Sequence, residues 1–215
     1  NSASVAASFV ADSSTAAVHD VRLMDGSTRK VADGKNTFTW TVIVRDGHGN
    51  PVPGAVVTPA VDKKDVSVAV AGTTDANGQT TVTLTSTTTA VADITVSAQV
   101  GSTARVNADK TVSFIADSSK AAVTSVTLEG ADVSKVADGK NAFTWAVTVK
   151  DTNGNRVQGA TVTPKADKAD NVTIATTGIT DANGQTKVTL TSTTTAVADI
   201  TVSAQVGGTA SVSAD

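Results

Sequence analysis

The sequence predicts an all-β fold with two tandem antiparallel β-sandwiches of about seven strands each, joined end to end without a flexible linker. First, residues 74–101 recur at 180–207 with Lys187 in place of Thr81 as the only change, which indicates an internal repeat. Second, apolar and polar residues alternate in short segments between Gly, Asn and Asp turns, as in half-buried strands. Third, the chain is rich in Val and Thr, and no segment has the apolar spacing of an amphipathic helix.

The spacing between the two copies predicts the domain boundaries. Phe9 and Phe114 open matching segments at an offset of 105 residues, whereas the duplicated stretch recurs at an offset of 106. We assign the extra residue to Asn171 and expect it in a loop, because an insertion within a paired strand would exchange its two faces. The predicted domains are 10–115 and 116–215, the second with an incomplete last strand. Residues 1–9 are predicted to end the last strand of a preceding domain, so that both ends continue into a longer array.

The clearest predicted strand in each repeat follows an Asp-Gly-Lys-Asn turn. Aromatic and Val side chains occupy every second position, which predicts one face turned to the core. The predicted core residues on this face are Phe38, Trp40 and Val42 in the first repeat and Phe143, Trp145 and Val147 in the second. Both Trp residues recur on the apolar face, so we expect core residues rather than exposed platforms for sugars.

The other strands are predicted from shorter alternations. An early strand carries Val18, Val21 and Leu23, and a later one runs through 55–58 and ends at Pro59. The duplicated stretch is predicted to form a hairpin, whose arms carry Val82 and Ile94 and are separated by a loop at 86–93. Residues 112–116 also alternate, which predicts that the last strand of the first domain leads directly into the second.

Charge and composition argue against several functional classes. The formal net charge is −3 and the chain has no run of Lys or Arg, which argues against nucleic-acid binding and against direct membrane contact by this segment. The sequence has no Cys. Composition leaves the compartment open, because a cytosolic protein and a surface protein with large cores can both dispense with disulfides.

The residue patterns predict no catalytic, cofactor or metal site. The two histidines, His19 and His48, do not recur in the other repeat, and neither has a partner at metal-ligand spacing. The segment Asp-x-Asn-x-Asn at 151–155 mimics the start of a calcium loop, but Arg156 stands where Gly is needed and Val162 where Glu is needed. We therefore expect these Asp and Asn residues to form turns, and we expect no enzyme activity.

Three motifs recur in the same order in both repeats. They are Asp-x-x-Gly-Asn-x-Val-x-Gly-Ala (46–55 and 151–160), Thr-Asp-Ala-Asn-Gly-Gln-Thr, and the pair Val-Thr-Leu-Thr-Ser-Thr and Ile-Thr-Val-Ser-Ala. With these motifs the chain resembles the bacterial immunoglobulin-like domains (group 1 type) of the intimin/invasin inverse-autotransporter adhesins. Without a Cys pair or a Tyr the antibody type of domain is excluded, whereas a looser immunoglobulin-like sandwich is not.

The resemblance implies the extracellular part of a Gram-negative outer-membrane protein on the bacterial cell surface. Such repeats would form an elongated stalk that presents an adhesive tip for host-cell attachment, without a cofactor. The implied partners are neighbouring immunoglobulin-like domains in the same chain and a host-cell surface or secreted host protein.

A second hypothesis is that one or both domains bind a host protein directly, either a cell-surface receptor or a secreted protein such as immunoglobulin. The two copies diverge most at 19–30, 47–53 and 60–72. The candidate partner-binding residues in these regions are Arg22, Met24, Arg29 and His48. Ordinary drift of surface loops explains the same divergence without a partner, so both hypotheses stand.

Overall fold

The computed structural model describes residues 6–215, so the first five residues of the predicted preceding strand lie outside it. The chain forms two compact units, and the boundary between them lies between Ile115 and Ala116. The helical segments of the described residues are the 3₁₀ turns Ser13–Thr15, Ser118–Lys120 and Ala169–Asn171. No helix in this part of the chain has the length and apolar character needed to cross a membrane. The predicted all-β fold is confirmed.

The first unit contains ten strands within its described residues. They are β1 (Ala17–Leu23), β2 (Arg29–Val31), β3 (Thr37–Arg45), β4 (Val57–Val61), β5 (Val66–Val70), β6 (Gln79–Ser86), β7 (Val91–Ile94), β8 (Val96–Val100), β9 (Val106–Asn107) and β10 (Val112–Ile115). They form three sheets with the orders β1-β3-β6-β5, β4-β8-β9 and β2-β10-β7. Buried side chains from all three sheets join one hydrophobic core.

Strand β3 supplies the largest side chains of this core. Phe38, Trp40, Val42 and Val44 occupy alternate positions and are all fully buried. The strand pairs antiparallel with β1 on one side and with β6 on the other, so its residues are held on both edges. Burial of each such side chain contributes about 1.5–3 kcal/mol to the free energy of unfolding. The side chains of β3 are therefore a major source of stability for the first unit.

The second unit contains seven strands within the described residues. They are β11 (Ala122–Leu128), β12 (Ala142–Lys150), β13 (Val162–Ala166), β14 (Val172–Thr176), β15 (Gln185–Ser192), β16 (Val202–Val206) and β17 (Val212–Ser213). They form two sheets with the orders β11-β12-β15-β14 and β13-β16-β17. The inserted Asn171 ends a 3₁₀ turn immediately before β14, where an extra residue leaves the strand register intact.

The hairpin predicted for the duplicated stretch is wrong. Strand β6 pairs with β3 and β5, whereas Ile94 lies in β7, which pairs with β10, and the following β8 pairs with β4 and β9. The two predicted arms therefore lie in different sheets. Strands β15 and β16 are separated between two sheets in the same way. Alternation identifies which face of a strand is buried but not which strand lies beside it. The predicted loop at 86–93 also contains the first residues of β7.

The predicted end of a strand at Pro59 is wrong as well. Strand β4 begins at Val57 and continues through Pro59, and Pro164 has the equivalent place in β13. Both strands lie at the edge of their sheet and pair with a single neighbour. An edge position accommodates a residue without an N–H group, because that side of the strand need not donate a ladder hydrogen bond.

The Asp-Ala-Asn-Gly turn precedes β6 in the first unit and β15 in the second. The carboxylate of Asp75 accepts hydrogen bonds from the backbone N–H groups of Asn77 (2.8 Å) and Gln79 (2.9 Å). Gly78 has a φ of +69°, and a Cβ at this position would lie 2.5 Å from the carbonyl oxygen of Val44. Both the positive φ and the close backbone contact therefore require Gly here.

Candidate functional site

One Asp carboxylate organises the turn that follows β3. Asp46 accepts hydrogen bonds from three backbone N–H groups, those of Asp12 (3.0 Å), His48 (2.9 Å) and Asn50 (2.8 Å). The side-chain amide of Asn50 donates a fourth at 3.0 Å. The Asn50 side chain and these backbone groups hold the pKa of Asp46 well below its ordinary value, against the opposing effect of burial.

Asp151 has the same role in the second unit. Its carboxylate accepts hydrogen bonds from the backbone N–H groups of Asp117 (3.0 Å), Asn153 (2.9 Å) and Asn155 (2.9 Å), and from the Asn155 side chain (2.9 Å). Burial acts to raise the pKa of Asp151, but these hydrogen bonds outweigh it and lower the pKa. In the segment that mimics a calcium loop, the carboxylate thus binds N–H donors of its own unit and joins the start of the unit to the end of β12.

Three of the four candidate partner-binding residues lie on one segment of the first unit. Arg22 is exposed in the edge strand β1 and forms an ion pair with Asp20. Met24 follows β1 and is 62% exposed, and Arg29 is exposed at the start of β2. The segment 22–29 therefore presents two cations and one flexible apolar side chain to solvent.

His48 lies away from this segment. It is exposed in the turn after β3, beyond the pair Ala17 and Arg45, whereas Met24 follows the pair Leu23 and Trp40 at the other end of β1. The length of β1 separates the two ends by about 20 Å at roughly 3.3 Å per residue. The structure therefore does not bring His48 together with the other three candidates.

The other histidine, His19, marks an irregularity in β1. The pairing of β1 with β3 shifts between Val18 and Asp20, and the same shift occurs between Val123 and Ser125 in β11. A shift of this kind leaves one residue of the strand unpaired, as in a β-bulge. His19 and Thr124 occupy that place and are both exposed.

The residues predicted to form the core lie in β3 and β12. Phe38, Trp40, Val42 and Val147 are fully buried, Trp145 is 7% exposed and Phe143 is partly exposed. The aromatic pairs are nearly the same, with centroid distances of 6.2 Å for Phe38 and Trp40 and 6.1 Å for Phe143 and Trp145. The two units thus place these rings alike but cover them to different extents.

A lysine lies over the Phe ring in each unit. The Nζ atom of Lys30 is 4.8 Å from the Phe38 centroid, and that of Lys135 is 4.9 Å from the Phe143 centroid. Lys30 also forms an ion pair with Asp25. Burial acts to raise the pKa of Asp25, but hydrogen bonds from Lys30 and from the backbone of Thr39 outweigh it and lower the pKa. Position 130, the equivalent of Asp25, is Gly in the second unit.

Strand β10 closes the first unit beside this Phe ring. It runs parallel to β2 and antiparallel to β7. Val112 and Phe114 point inward and are each 1% exposed, and the Phe114 and Phe38 centroids are 5.1 Å apart. Three aromatic rings therefore pack together in the first unit.

Within the described residues of the second unit, no strand occupies the place that β10 has in the first, and a groove lies there. It is a cavity of about 480 Å³ and continues into one of about 110 Å³. We define the groove by six apolar lining residues, Leu128, Phe143, Leu190, Val197, Ile200 and Val202. Residues 134–136 and 197–200 correspond to β2 and β7 by sequence but form no strand in this part of the described chain. Nearly the same residues line the equivalent place in the first unit, where β10 buries them.

The chain matches one known family of domains. The bacterial Ig-like domain (group 1) matches residues 20–115 and 125–215, one match in each unit. The chain belongs to this family. Membership confirms the resemblance drawn from the three recurring motifs, and it identifies both units as immunoglobulin-like sandwiches in tandem.

One curated relative is an adhesin. The inverse autotransporter adhesin YeeJ of Escherichia coli is 33% identical over 190 residues, which are 86% of this chain and 8% of YeeJ. The chain thus spans less than a tenth of the length of that relative. The match supports an assignment of the two units to adhesin repeats of the intimin/invasin type.

Two solved structures share the fold. InvD of Yersinia pseudotuberculosis is 16% identical with a TM-score of 0.58, over 94% of this chain and 57% of that chain. Invasin, described as a bacterial integrin-binding protein, is 22% identical with a TM-score of 0.57, over 95% of this chain and 40% of that chain. At these identities the two structures show the fold alone.

Proposed function

We propose that the two units are repeats in the extracellular stalk of an outer-membrane adhesin of the inverse-autotransporter type. The stalk holds an adhesive tip away from the bacterial surface and toward host cells. Family membership and the 33% identity with an inverse autotransporter adhesin support this assignment. The units contact neighbouring Ig-like domains of the same chain, and they use neither a cofactor nor catalysis.

The observation that carries the proposal is the faithful duplication of the scaffold. Residues 82–101 and 188–207 are identical, and the Asp turn, the aromatic pair and the Lys over the Phe ring recur in both units. A spacer needs a reproducible sandwich in each repeat, whereas a binding site in one unit requires residues that its sister lacks. These side-chain arrangements are therefore common to both units.

Display on a cell surface tests the spacer role. The 215-residue chain is inserted once or twice between an outer-membrane anchor and a tip of known host ligand, and attachment to host cells with a thick glycocalyx is measured. We expect attachment to rise with the number of insertions and to depend on the tip. Beads coated with the 215-residue chain alone are expected to bind no better than beads coated with albumin. Binding of these beads equal to that of tip-bearing beads would contradict the proposal.

A second candidate function is direct binding of a host receptor or of a secreted host protein such as immunoglobulin. The exposed segment with Arg22, Met24 and Arg29 favours it, because Arg and Met are enriched in protein interfaces. The second unit provides matched substitutions that its own fold accepts: Arg22→Thr, Met24→Glu, Arg29→Ser and His48→Asn. If a host protein retained by the chain from serum or membranes is released by the first three changes but not by His48→Asn, this second function is correct.

A further inference from the structure

The chain has three Asn-Gly pairs, at 77–78, 153–154 and 183–184. Asn and Gly are preferred turn residues, which accounts for their presence in these turns. The pair also has a chemical consequence, because Asn is a thermolabile residue. The backbone nitrogen of the following residue can attack the carbon of the Asn side-chain amide, and Gly has no Cβ to hinder this attack. Each pair is therefore a candidate site for a spontaneous reaction.

The three turns hold their Asn residues in the same way. The backbone N–H of the Asn donates to the carboxylate of the Asp two positions earlier, at 2.8 Å for Asn77, 2.9 Å for Asn153 and 2.8 Å for Asn183. The N–H of the following Gly donates to the carbonyl of the same Asp, at 2.9, 3.0 and 2.9 Å in the same order. All three Asn residues are exposed. Exposure and hydrogen bonding within the turn therefore do not distinguish the three sites.

The surroundings of the Gly residues do distinguish them. Gly78 and Gly184 are buried, and a Cβ at these positions would lie 2.5 Å and 2.7 Å from the carbonyl oxygens of Val44 and Val149. Their own carbonyl groups accept hydrogen bonds from the N–H groups of the same two Val residues at 2.8 Å. Gly154 is exposed, and a Cβ there would have no atom within 4 Å. Two of the three pairs are thus packed against a central strand, and the third is open.

This packing opposes the movement that the reaction requires. The peptide group between Asn and Gly must rotate toward the Asn side chain, which pulls the Gly out of its contacts. For Gly78 and Gly184 the rotation disturbs the hydrogen bonds to β3 and β12. At Asn183 it also disturbs a bond from the guanidinium of Arg156 to the Asn183 carbonyl, which is 2.8 Å long. For Gly154 the rotation affects an open turn, so the local opening costs less there.

We propose that Asn153 is a site of spontaneous deamidation and that the reaction weakens the attachment of residue 117 to the turn after β12. The Gly154 nitrogen loses its proton to hydroxide and forms a bond to the Cγ atom of Asn153. The side-chain nitrogen takes a proton from water and leaves as ammonia. Water then opens the resulting succinimide at one of its two carbonyl groups and gives Asp or isoaspartate. The inference stands on the three turns, independently of the stalk function.

The product alters the turn that Asp151 organises. The Asp151 carboxylate accepts the N–H groups of Asn153 and Asn155 and, at 3.0 Å, that of Asp117. Isoaspartate lengthens the main chain by one atom between the first two donors, and it places a second negative charge near Asp151. The donors then no longer match the carboxylate, so the bond to Asp117 is weakened as well.

The first unit has the same turn without the reactive side chain. His48 has the place of Asn153, and its N–H donates to Asp46 at the same 2.9 Å. Asn153→His is therefore a matched control that keeps the turn and removes the amide.

Tryptic mapping tests the proposal, because the three pairs fall in separate peptides, 65–105, 151–156 and 169–187. The folded chain is incubated at mildly alkaline pH, deamidation is followed by mass spectrometry, and isoaspartate is identified with an isoaspartyl methyltransferase. We expect Asn153 to convert at least about tenfold faster than the other two Asn residues. In the chain unfolded by urea we expect the three rates to become similar, because the packing that separates them is lost.

Urea unfolding of the incubated chain tests the effect on the turn. With Trp40→Phe, so that Trp145 reports on the second unit, we expect the urea midpoint to fall as Asn153 converts. In the Asn153→His chain we expect no deamidation at position 153 and a constant midpoint. Conversion of either other Asn as fast as Asn153 in the folded chain would overturn the assignment of the site. An unchanged midpoint after full conversion would overturn the effect on the turn, and neither result bears on adhesion.

Discussion

The two units differ in structure at a segment whose sequence is the same in both. Residues 91–94 form strand β7 in the first unit, whereas the identical residues 197–200 form no strand in the second. The difference lies in β10, which pairs with β7 and β2 and brings Phe114 against Phe38. The local sequence alone therefore does not decide whether this segment forms a strand. The strand that pairs with it is also needed.

The largest expected difference between the units concerns their Phe residues. Phe38→Ala removes a fully buried ring that contacts Trp40 and Phe114, so we expect it to cost the first unit about 3–5 kcal/mol of unfolding free energy. Phe143→Ala removes a partly exposed ring beside the groove and is expected to cost the second unit about 1–2 kcal/mol. Urea unfolding followed by Trp fluorescence measures both values.

Each unit holds one of the two Trp residues, so single-Trp variants separate the signals. Trp145→Phe leaves Trp40 to report on the first unit, and Trp40→Phe leaves Trp145 to report on the second. Equal losses from the two Phe substitutions would mean that both sandwiches are closed to the same degree. In that case the comparison between a closed and an open unit fails.

The turn glycines provide a change that should affect both units alike. In Gly78→Ala a residue with a φ of +69° gains a Cβ 2.5 Å from the Val44 carbonyl oxygen, and in Gly184→Ala the values are +64° and 2.7 Å from the Val149 carbonyl oxygen. We expect each substitution to cost about 2–3 kcal/mol, because positive φ is strained for Ala and the backbone must shift. Unequal losses in the single-Trp variants would show that the two turns are not equivalent.

The smallest expected effect depends on pH. The folded-state pKa of Asp25 is lowered, so its ionised form stabilises the first unit above the unfolded pKa of about 3.9, and this contribution is lost as the pH falls through the folded pKa. Asp25→Asn is expected to cost about 1 kcal/mol at neutral pH and nothing at strongly acid pH. The second unit has Gly130 at this position, so its urea midpoint at both pH values should be unchanged by the substitution.

Much of the fold could be predicted because period-two alternation reports directly on burial. The strands around Trp40 and Trp145, the turn glycine and the loop position of Asn171 follow from residue type and spacing. The partners of each strand do not follow in the same way, so the alternation of the duplicated stretch predicts a hairpin although its arms join different sheets. The pattern at Pro59 was misleading because it does not distinguish an edge strand from the end of a strand.

The residues that line the groove do not by themselves predict it, for a related reason. They are nearly the same in both units, so their sequence alone does not show that they are covered in one and uncovered in the other. What distinguishes them is a contact between residues far apart in the chain, such as Phe114 with Phe38.

The exchange rates of the Ala32 and Ala137 amide protons test the central claim most directly. Both residues lie within the same sequence, Lys-Val-Ala-Asp-Gly-Lys-Asn, so their intrinsic exchange rates are equal. NMR is the suitable method, because peptides of identical sequence have the same mass. Since the Ala32 N–H donates to Ile115 of β10, we expect Ala137 to exchange at least about tenfold faster than Ala32. Equal protection of the two amides in the 215-residue chain would contradict the account that pairing with β10 is what protects this part of the sandwich.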